Sequence, residues 1–196
     1  MNNTILLLKI LLLTLFIAGC SSLPIPNVTK YSLDTPVTKN NNIEQMNIAV
    51  QRVRGRHQYD KKSLSISPEP HVMDTYQTAR WAESPCSMLT DNIIAYLSEK
   101  FSYVTSMPNN YNNELDYIIS VYIDELNQIK RDGKWFAVIS LHYEIISSKT
   151  RKTVENNWFR KKVGLSDSSV QTYVDAQNKS VDKFLQLLTS EILKQK

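Results

Sequence analysis

Cys20 is the residue of this chain whose neighbours best prepare it for covalent chemistry. It closes the stretch Ile17-Ala18-Gly19-Cys20 at the end of the apolar run Ile10–Ala18. That order reads as a lipobox: small Ala18 and Gly19 suit a peptidase cleft, and the Cys20 thiol is the nucleophile to which a diacylglyceryl group is attached before cleavage. The apolar run is far shorter than the roughly 20 residues a bilayer-spanning helix needs. Residues 1–19 are therefore expected to be a cleavable signal rather than a transmembrane anchor, although the n-region carries only Lys9 and the terminal amine as positive charges. Ser21 follows, where the acidic residue that retains bacterial lipoproteins in the inner membrane is absent. The expected address is the outer membrane, lipid-anchored, with the rest of the chain in the periplasm.

No other residue set promises chemistry as directly. With Cys20 acylated, Cys86 has no intramolecular partner, since the chain has 2 cysteines. Two readings of Cys86 stand: a small buried hydrophobe, or a thiol activated by a helix start. The chain has 4 glycines, one of them in the signal, too few for a Gly-rich phosphate loop. His57, His71 and His142 lack Cys, Asp or Glu at metal-ligand spacing, so no metal site is expected. Asp124-Glu125 is an acidic pair of the kind that solvated strands and turns carry, and nothing separates it into an acid and a base. No catalytic residue is assigned, and no cofactor beyond the covalent lipid on Cys20.

Basic and aromatic residues suggest binding instead. Arg52, Arg54 and Arg56 alternate, so a strand running through them would project all three from one face. Lys149, Arg151, Lys152 and Arg160-Lys161-Lys162 add positive charge further on. Such residues either protect a solvated strand edge or contact lipid phosphates or an acidic partner. With 23 basic residues against 19 acidic ones, the net charge of +4 is too mild for a nucleic-acid binder. Tyr122 and Phe136 fall opposite the apolar stripes described below, and a cluster of such aromatics left exposed would mark an interaction surface.

The elements that must position these residues follow from periodicity. Residues 20–42 read as the lipidated N-terminus and a tether, stiffened by Pro24 and Pro26, with a short strand at Tyr31-Ser32-Leu33. Residues 43–196 read as a single globular domain, within the usual ~100–200 residues. Met46, Ile48 and Val50 share one face of a strand. Leu64–Ser67 and His71–Tyr76 are strand candidates separated by Pro68 and Pro70, which argue for an edge or a loop. Ser84-Pro85 opens a helix as N-cap and first-turn proline, with Leu89, Ile93, Leu97 and Phe101 as its apolar stripe. A strand at Tyr103–Ser106 and a turn at Pro108-Asn109-Asn110 follow.

Leu115, Tyr117, Ile119, Val121 and Ile123 alternate with polar positions in a strand. Arg131-Asp132-Gly133-Lys134 is a hairpin turn; Trp135, Ala137, Ile139, Leu141, Tyr143 and Ile145 continue the period beyond it. Lys152–Val163 is a polar strand in which Val154 and Trp158 share a face. Val170–Leu193 is a helix on the spacing of Val174, Val181, Phe184, Leu185, Leu188 and Ile192, although its middle, Asp175–Lys179, is polar enough to allow a break. The expected fold class is α+β: a two-layer sandwich of a mainly antiparallel sheet with two main helices on one face.

The lipobox, Tyr31-Ser32-Leu33, Ile48-Ala49-Val50-Gln51-Arg52-Val53, Tyr59-Asp60-Lys61 and Ala79-Arg80-Trp81-Ala82-Glu83 before an amphipathic helix occur in that order. Together with Leu115–Ile123 and the terminal helix, this order resembles the ABC-type transport auxiliary lipoproteins, the PqiC family. The chain departs from that pattern at Arg54-Gly55-Arg56, where the family tends to have an apolar residue and proline, and at Ser84 and Cys86 around Pro85. The resemblance implies a non-catalytic outer-membrane lipoprotein that forms homo-oligomers. It would work beside an MCE-domain transport protein in moving lipid between membranes and supporting envelope integrity. From a different class, a tethered α+β lipoprotein could regulate a periplasmic cell-wall synthase; a tether of ~20 residues at ~3.5 Å each reaches about 70 Å, which favours a domain held near its membrane.

Overall fold

The computed structural model describes residues 27–35, 43–107 and 114–196. Its spine is a hairpin. Asp132 and Gly133 have φ angles of 51° and 72°, the left-handed pair that a two-residue hairpin turn matched to strand twist requires. They join β7 (Tyr117–Arg131) to β8 (Lys134–Ser147) in an antiparallel ladder running from Arg131 opposite Lys134 to Tyr117 opposite Ser147. The register shifts between Ile123 and Glu125, so the inward stripe changes parity there. Ile119, Val121 and Ile123 are buried before the irregularity and Leu126 and Gln128 after it. An inserted residue bends a strand and raises its twist, which here curls the sheet. On the far side of β8 lies β9 (Thr153–Gly164), also antiparallel.

The other edge of β7 is occupied by one traverse of the chain. β2 (Glu44–Val50) pairs with residues 117–119, β3 (Arg54–Gly55) with Tyr122 and Ile123, and β4 (Ser63–Ser67) with Gln128 and Ile129, all parallel. Where the traverse leaves β7, a 3-10 turn at His57–Asp60 places the buried Tyr59 in the gap. Its hydroxyl donates to Asn127 Oδ1 (3.0 Å) and accepts from the Leu126 amide (3.0 Å), so two polar groups at the bend are satisfied. β5 (Asp74–Trp81) runs antiparallel to β4, and β6 (Phe101–Ser106) parallel to β2. The sheet is thus mixed: antiparallel in its long β7–β8–β9 ladders, as expected, and parallel where the traverse follows β7.

The two α-helices of the described residues cover the inner face. α1 (Pro85–Ser98) starts as its sequence dictates, with Ser84 Oγ accepting from the Ser87 amide at 3.2 Å and Pro85 at the first position. Leu89, Ile93, Leu97 and, just beyond, Phe101 are buried. α2 (Val170–Leu193) runs unbroken. Its polar middle, Asp175–Lys179, does not interrupt it because this stretch has partners: Gln177 is fully buried and donates to the Val138 carbonyl at 2.9 Å, and Ser180 Oγ donates back to the Ala176 carbonyl. Phe184 sits between Tyr143 and Phe159, ring centroids 5.9 and 5.5 Å away; burying a side chain of this kind contributes about 1.5–3 kcal/mol. At the α2 N-terminus, hydrogen bonds from Ser169 and Thr172 hold the Asp167 carboxyl down at about 2. Its contribution is present above the ordinary carboxylate value and fades as pH falls through about 2.

The tether is shorter than its composition suggests. β1 (Thr29–Tyr31) pairs in parallel with β5, and Leu33 and Thr35, read as tether, are buried against α1. The Leu33 amide meets Met88 Sδ at 3.4 Å, and Asn92 takes the Leu33 carbonyl through Nδ2 (2.6 Å) and the Thr35 amide through Oδ1 (3.2 Å). Side-chain bonding, invisible to periodicity, therefore moves residues 29–35 into the domain. The strand expected at His71–Tyr76 starts only at Asp74, because His71 takes a positive φ of 65° in the loop with Pro68 and Pro70. The signal, Cys20, and the Pro108-Asn109-Asn110 turn lie outside the described residues.

Gly55 tests the close approach of β3 to the core. A Cβ there would meet Ile123 Cβ and O at 3.1 Å and Cys86 Sγ at 3.3 Å, all held by the sheet or buried. Gly55→Ala should destabilise the fold by about 1–3 kcal/mol in denaturant titration, as overpacking does; an unchanged or raised midpoint would contradict this packing.

Candidate docking surface

The outward face of the curled sheet carries a row that crosses four strands. Arg54 of β3 is opposite Tyr122 of β7, Tyr122 opposite His142 of β8, and His142 opposite Trp158 of β9. Directly opposed residues share a face and interact. Trp158 is 41% exposed and Tyr122 37%, large values for aromatics at the middle of long strands. The His142 ring lies 4.9 Å from the Trp158 ring, and His142 Nε2 is 2.7 Å from Asn156 Oδ1. Arg160 sets its guanidinium over the Trp158 ring, 4.3 Å from the centroid, a contact worth about 0.5–1 kcal/mol at an exposed site. The row is thus a preorganised aromatic strip edged by cations, suited to an amphipathic or acidic protein surface.

The three arginines are not equivalent. β2 ends at Val50 and β3 begins at Arg54, so the single continuous strand on which a joint basic face depended is not formed. Arg52 pairs with Asp60 (3.1 Å) and Arg56 with Asp124 (2.6 Å), both at exposed positions where such pairs are worth ~0–1 kcal/mol. Arg54 is exposed and joins the aromatic row. Phe136 lies outside the core as expected, with Lys162 Nζ 4.1 Å from its ring centroid. Trp158, read only as sharing a face with Val154, is the residue whose importance was missed. Counting back from the turn in strict register would have set Tyr122 against Tyr143; the irregularity between Ile123 and Glu125 brings it opposite His142 instead, and no local sequence signal shows that shift.

Other candidates have plain places. Cys86 is fully buried in the first turn of α1, and burial pushes its thiol up to about 12, with the nearby Asp60 carboxylate adding to the effect. That selects the buried hydrophobe of its two readings. His57, His71 and His142 occupy three separate elements, and among the described residues no cluster of three or more His, Cys, Asp or Glu side chains could hold a metal. A groove of about 400 Å³ runs between β9 and α2, with Lys161, Lys179 and Lys183 set against Asp175.

The sequence pattern of the ABC-type transport auxiliary lipoprotein component matches residues 31–188, from β1 to the last turns of α2. The chain belongs to this family. Protein XCC0632 from Xanthomonas campestris has a similar fold, with a TM-score of 0.71 at 18% identity over 82% of this chain and 92% of that one. A second solved structure, of an uncharacterized protein, gives a TM-score of 0.68 at 12% identity over 85% and 99%. No curated protein matches the sequence significantly. The family is one of auxiliary transport lipoproteins and not an enzyme class. Within this auxiliary lipoprotein the Ala79-Arg80-Trp81-Ala82-Glu83 motif has a structural reason: Trp81 ends β5, is buried, and lies 6.2 Å from Tyr173 of α2. Tyr31 takes the Ala82 amide at 2.7 Å, and Glu83 pairs with Lys62.

In a Cys20→Ala chain the single remaining thiol, Cys86, should not react with an aromatic disulfide reagent at pH 8 while native, and should react fully in guanidinium. Prompt labelling of the native protein would contradict the buried placement.

Proposed function

We propose that this auxiliary lipoprotein is held in the outer membrane by an acyl chain on Cys20. It acts, without catalysis of its own, as a docking subunit of an MCE-type intermembrane lipid transporter and assembles with further copies of itself. The observation that carries the reading is the outward row Arg54, Tyr122, His142 and Trp158. Exposed aromatics aligned across a sheet are a surface that a partner would desolvate, and Trp, Tyr and Arg dominate the energetics of such contacts. The neighbouring β9 hydrogen-bonds only to β8 among the described strands, so its edge is open beside the row. Arg160, Lys161 and Lys162 guard that edge against indiscriminate pairing, which favours a partner with complementary charge.

The lipid anchor fits the same reading. Only eight residues separate Cys20 from Thr29, where the domain begins, so even a fully extended link reaches about 30 Å at ~3.5 Å per residue. A domain on so short a leash works at its own membrane. Ser21 supports the outer membrane as that membrane, and the family's transport role supports an MCE-type partner over a cell-wall synthase.

Tagged full-length protein purified from detergent-solubilised envelopes should bring an MCE-type protein with it. Trp158→Ala should lower that recovery about tenfold or more, as loss of a hot spot of ~1.4 kcal/mol or above does, while leaving the circular dichroism unchanged. Absence of any MCE-type protein from the wild-type preparation would contradict the proposal.

A further inference from the structure

The direction in which the chain leaves the domain toward Cys20 defines one end of the molecule. β1 lies parallel to β5 with Thr29 opposite Ala79 and Tyr31 opposite Trp81. The N-terminal end of β1 therefore points along β5 toward Asp74, and Val28 lines a cleft with Tyr76 and Gln77. At that level Asp74 is opposite Ile66, and Ile66 is opposite Gln128. The same end therefore carries the loop 68–73, ahead of β5, and the Asp132-Gly133 turn of the β7–β8 hairpin; Pro68 and Pro70 line a cleft with Lys130 and Arg131 there. Asp74 lies about three residues past the level of Gln77, or ~10 Å along the strand.

This end has the chemistry of a bilayer interface. Val72 and Met73 are adjacent in the loop, 42% and 51% exposed. On the β7–β8 hairpin at the same end, Trp135 is half-buried with Lys130 Nζ 5.6 Å from its ring centroid, the amphipathic pairing of ring and cation that headgroup regions accept. Lys130, Arg131 and Lys134 are offset here by Glu69, Asp74 and Asp132, so apolar insertion rather than net charge must supply the contact. Cys20 is seven residues before Asn27, at most about 25 Å of chain. An acyl chain on Cys20 would hold Asn27 within that distance of the lipid.

We infer that the end formed by the loop 68–73 and the β7–β8 turn rests on the phospholipid surface that holds Cys20, with Val72 and Met73 seated among the headgroups. The inference rests on the acylation of Cys20 proposed above. Such seating fixes the orientation of the domain, leaving the aromatic row on the side of the sheet free for protein contacts.

The test uses full-length acylated protein in phosphatidylethanolamine and phosphatidylglycerol vesicles, with an environment-sensitive fluorophore on Met73→Cys and, separately, on Thr150→Cys at the opposite end of the β8–β9 hairpin. Flotation with the vesicles and the mass of the N-terminal peptide report acylation independently. The label at position 73 should shift to the blue and lose most of its intensity to a lipid-borne spin quencher, while the label at 150 should do neither. A floating, acylated protein whose label at 73 stays in water, or is shielded without quenching by lipid, overturns the inference and leaves the anchor standing. Quenching at 150 instead of 73 also overturns it. An unacylated Cys20 overturns both.

Discussion

The ladder between β7 and β8 is the constraint on which the rest of this domain depends. Its turn needs two consecutive residues at positive φ, which Asp132-Gly133 provides, and it sets fourteen residues of β8 against fifteen of β7. That length gives β7 enough edge to receive β2, β3 and β4 in succession. The irregularity at residues 123–125 bends the same ladder so that the inner face wraps Phe184 and the rest of α2 while the outer face opens. Tyr59 closes the gap the bend creates, satisfying the Leu126 amide.

Function follows from what this curl leaves outside. The inner face is covered by two helices, so the docking proposed above is assigned to the outer face and to the ends. On the outer face the register aligns Arg54, Tyr122, His142 and Trp158; among the described residues no helix lies over them. At one end the chain returns toward its proposed acyl anchor. On the proposed reading these are two surfaces, one for the membrane and one for partners, at different places on the fold.

Local chemistry made much of this legible. Ser84-Pro85 announced α1 and Asp132-Gly133 the hairpin, because caps and mirror-image turns have few sequence solutions. The alternation through Ile123 exposed the inner stripe of β7, and the resemblance in residue order pointed to the family whose pattern matches the chain. What remained hidden depends on distant partners. Parallel pairing of β2, β3 and β4 on β7 has no local signature. The polar middle of α2 left room for a break because the Val138 carbonyl that receives Gln177 comes from a strand 39 residues away. Arg52 and Arg56 looked available until Asp60 and Asp124 were set beside them. Residues 29–35 looked like tether because Asn92, which bonds them to α1, is far along the chain.

On the proposed reading, partners meet the outer face of the sheet and not the helical face. Photo-crosslinking in intact envelopes tests it most directly, with a photoreactive residue placed at Trp158 in one strain and at the exposed Gln186 of α2 in another. Position 158 is predicted to yield a defined adduct with an MCE-type protein or a second copy of this chain, and position 186 none. Adducts from 186 with none from 158 would contradict the account.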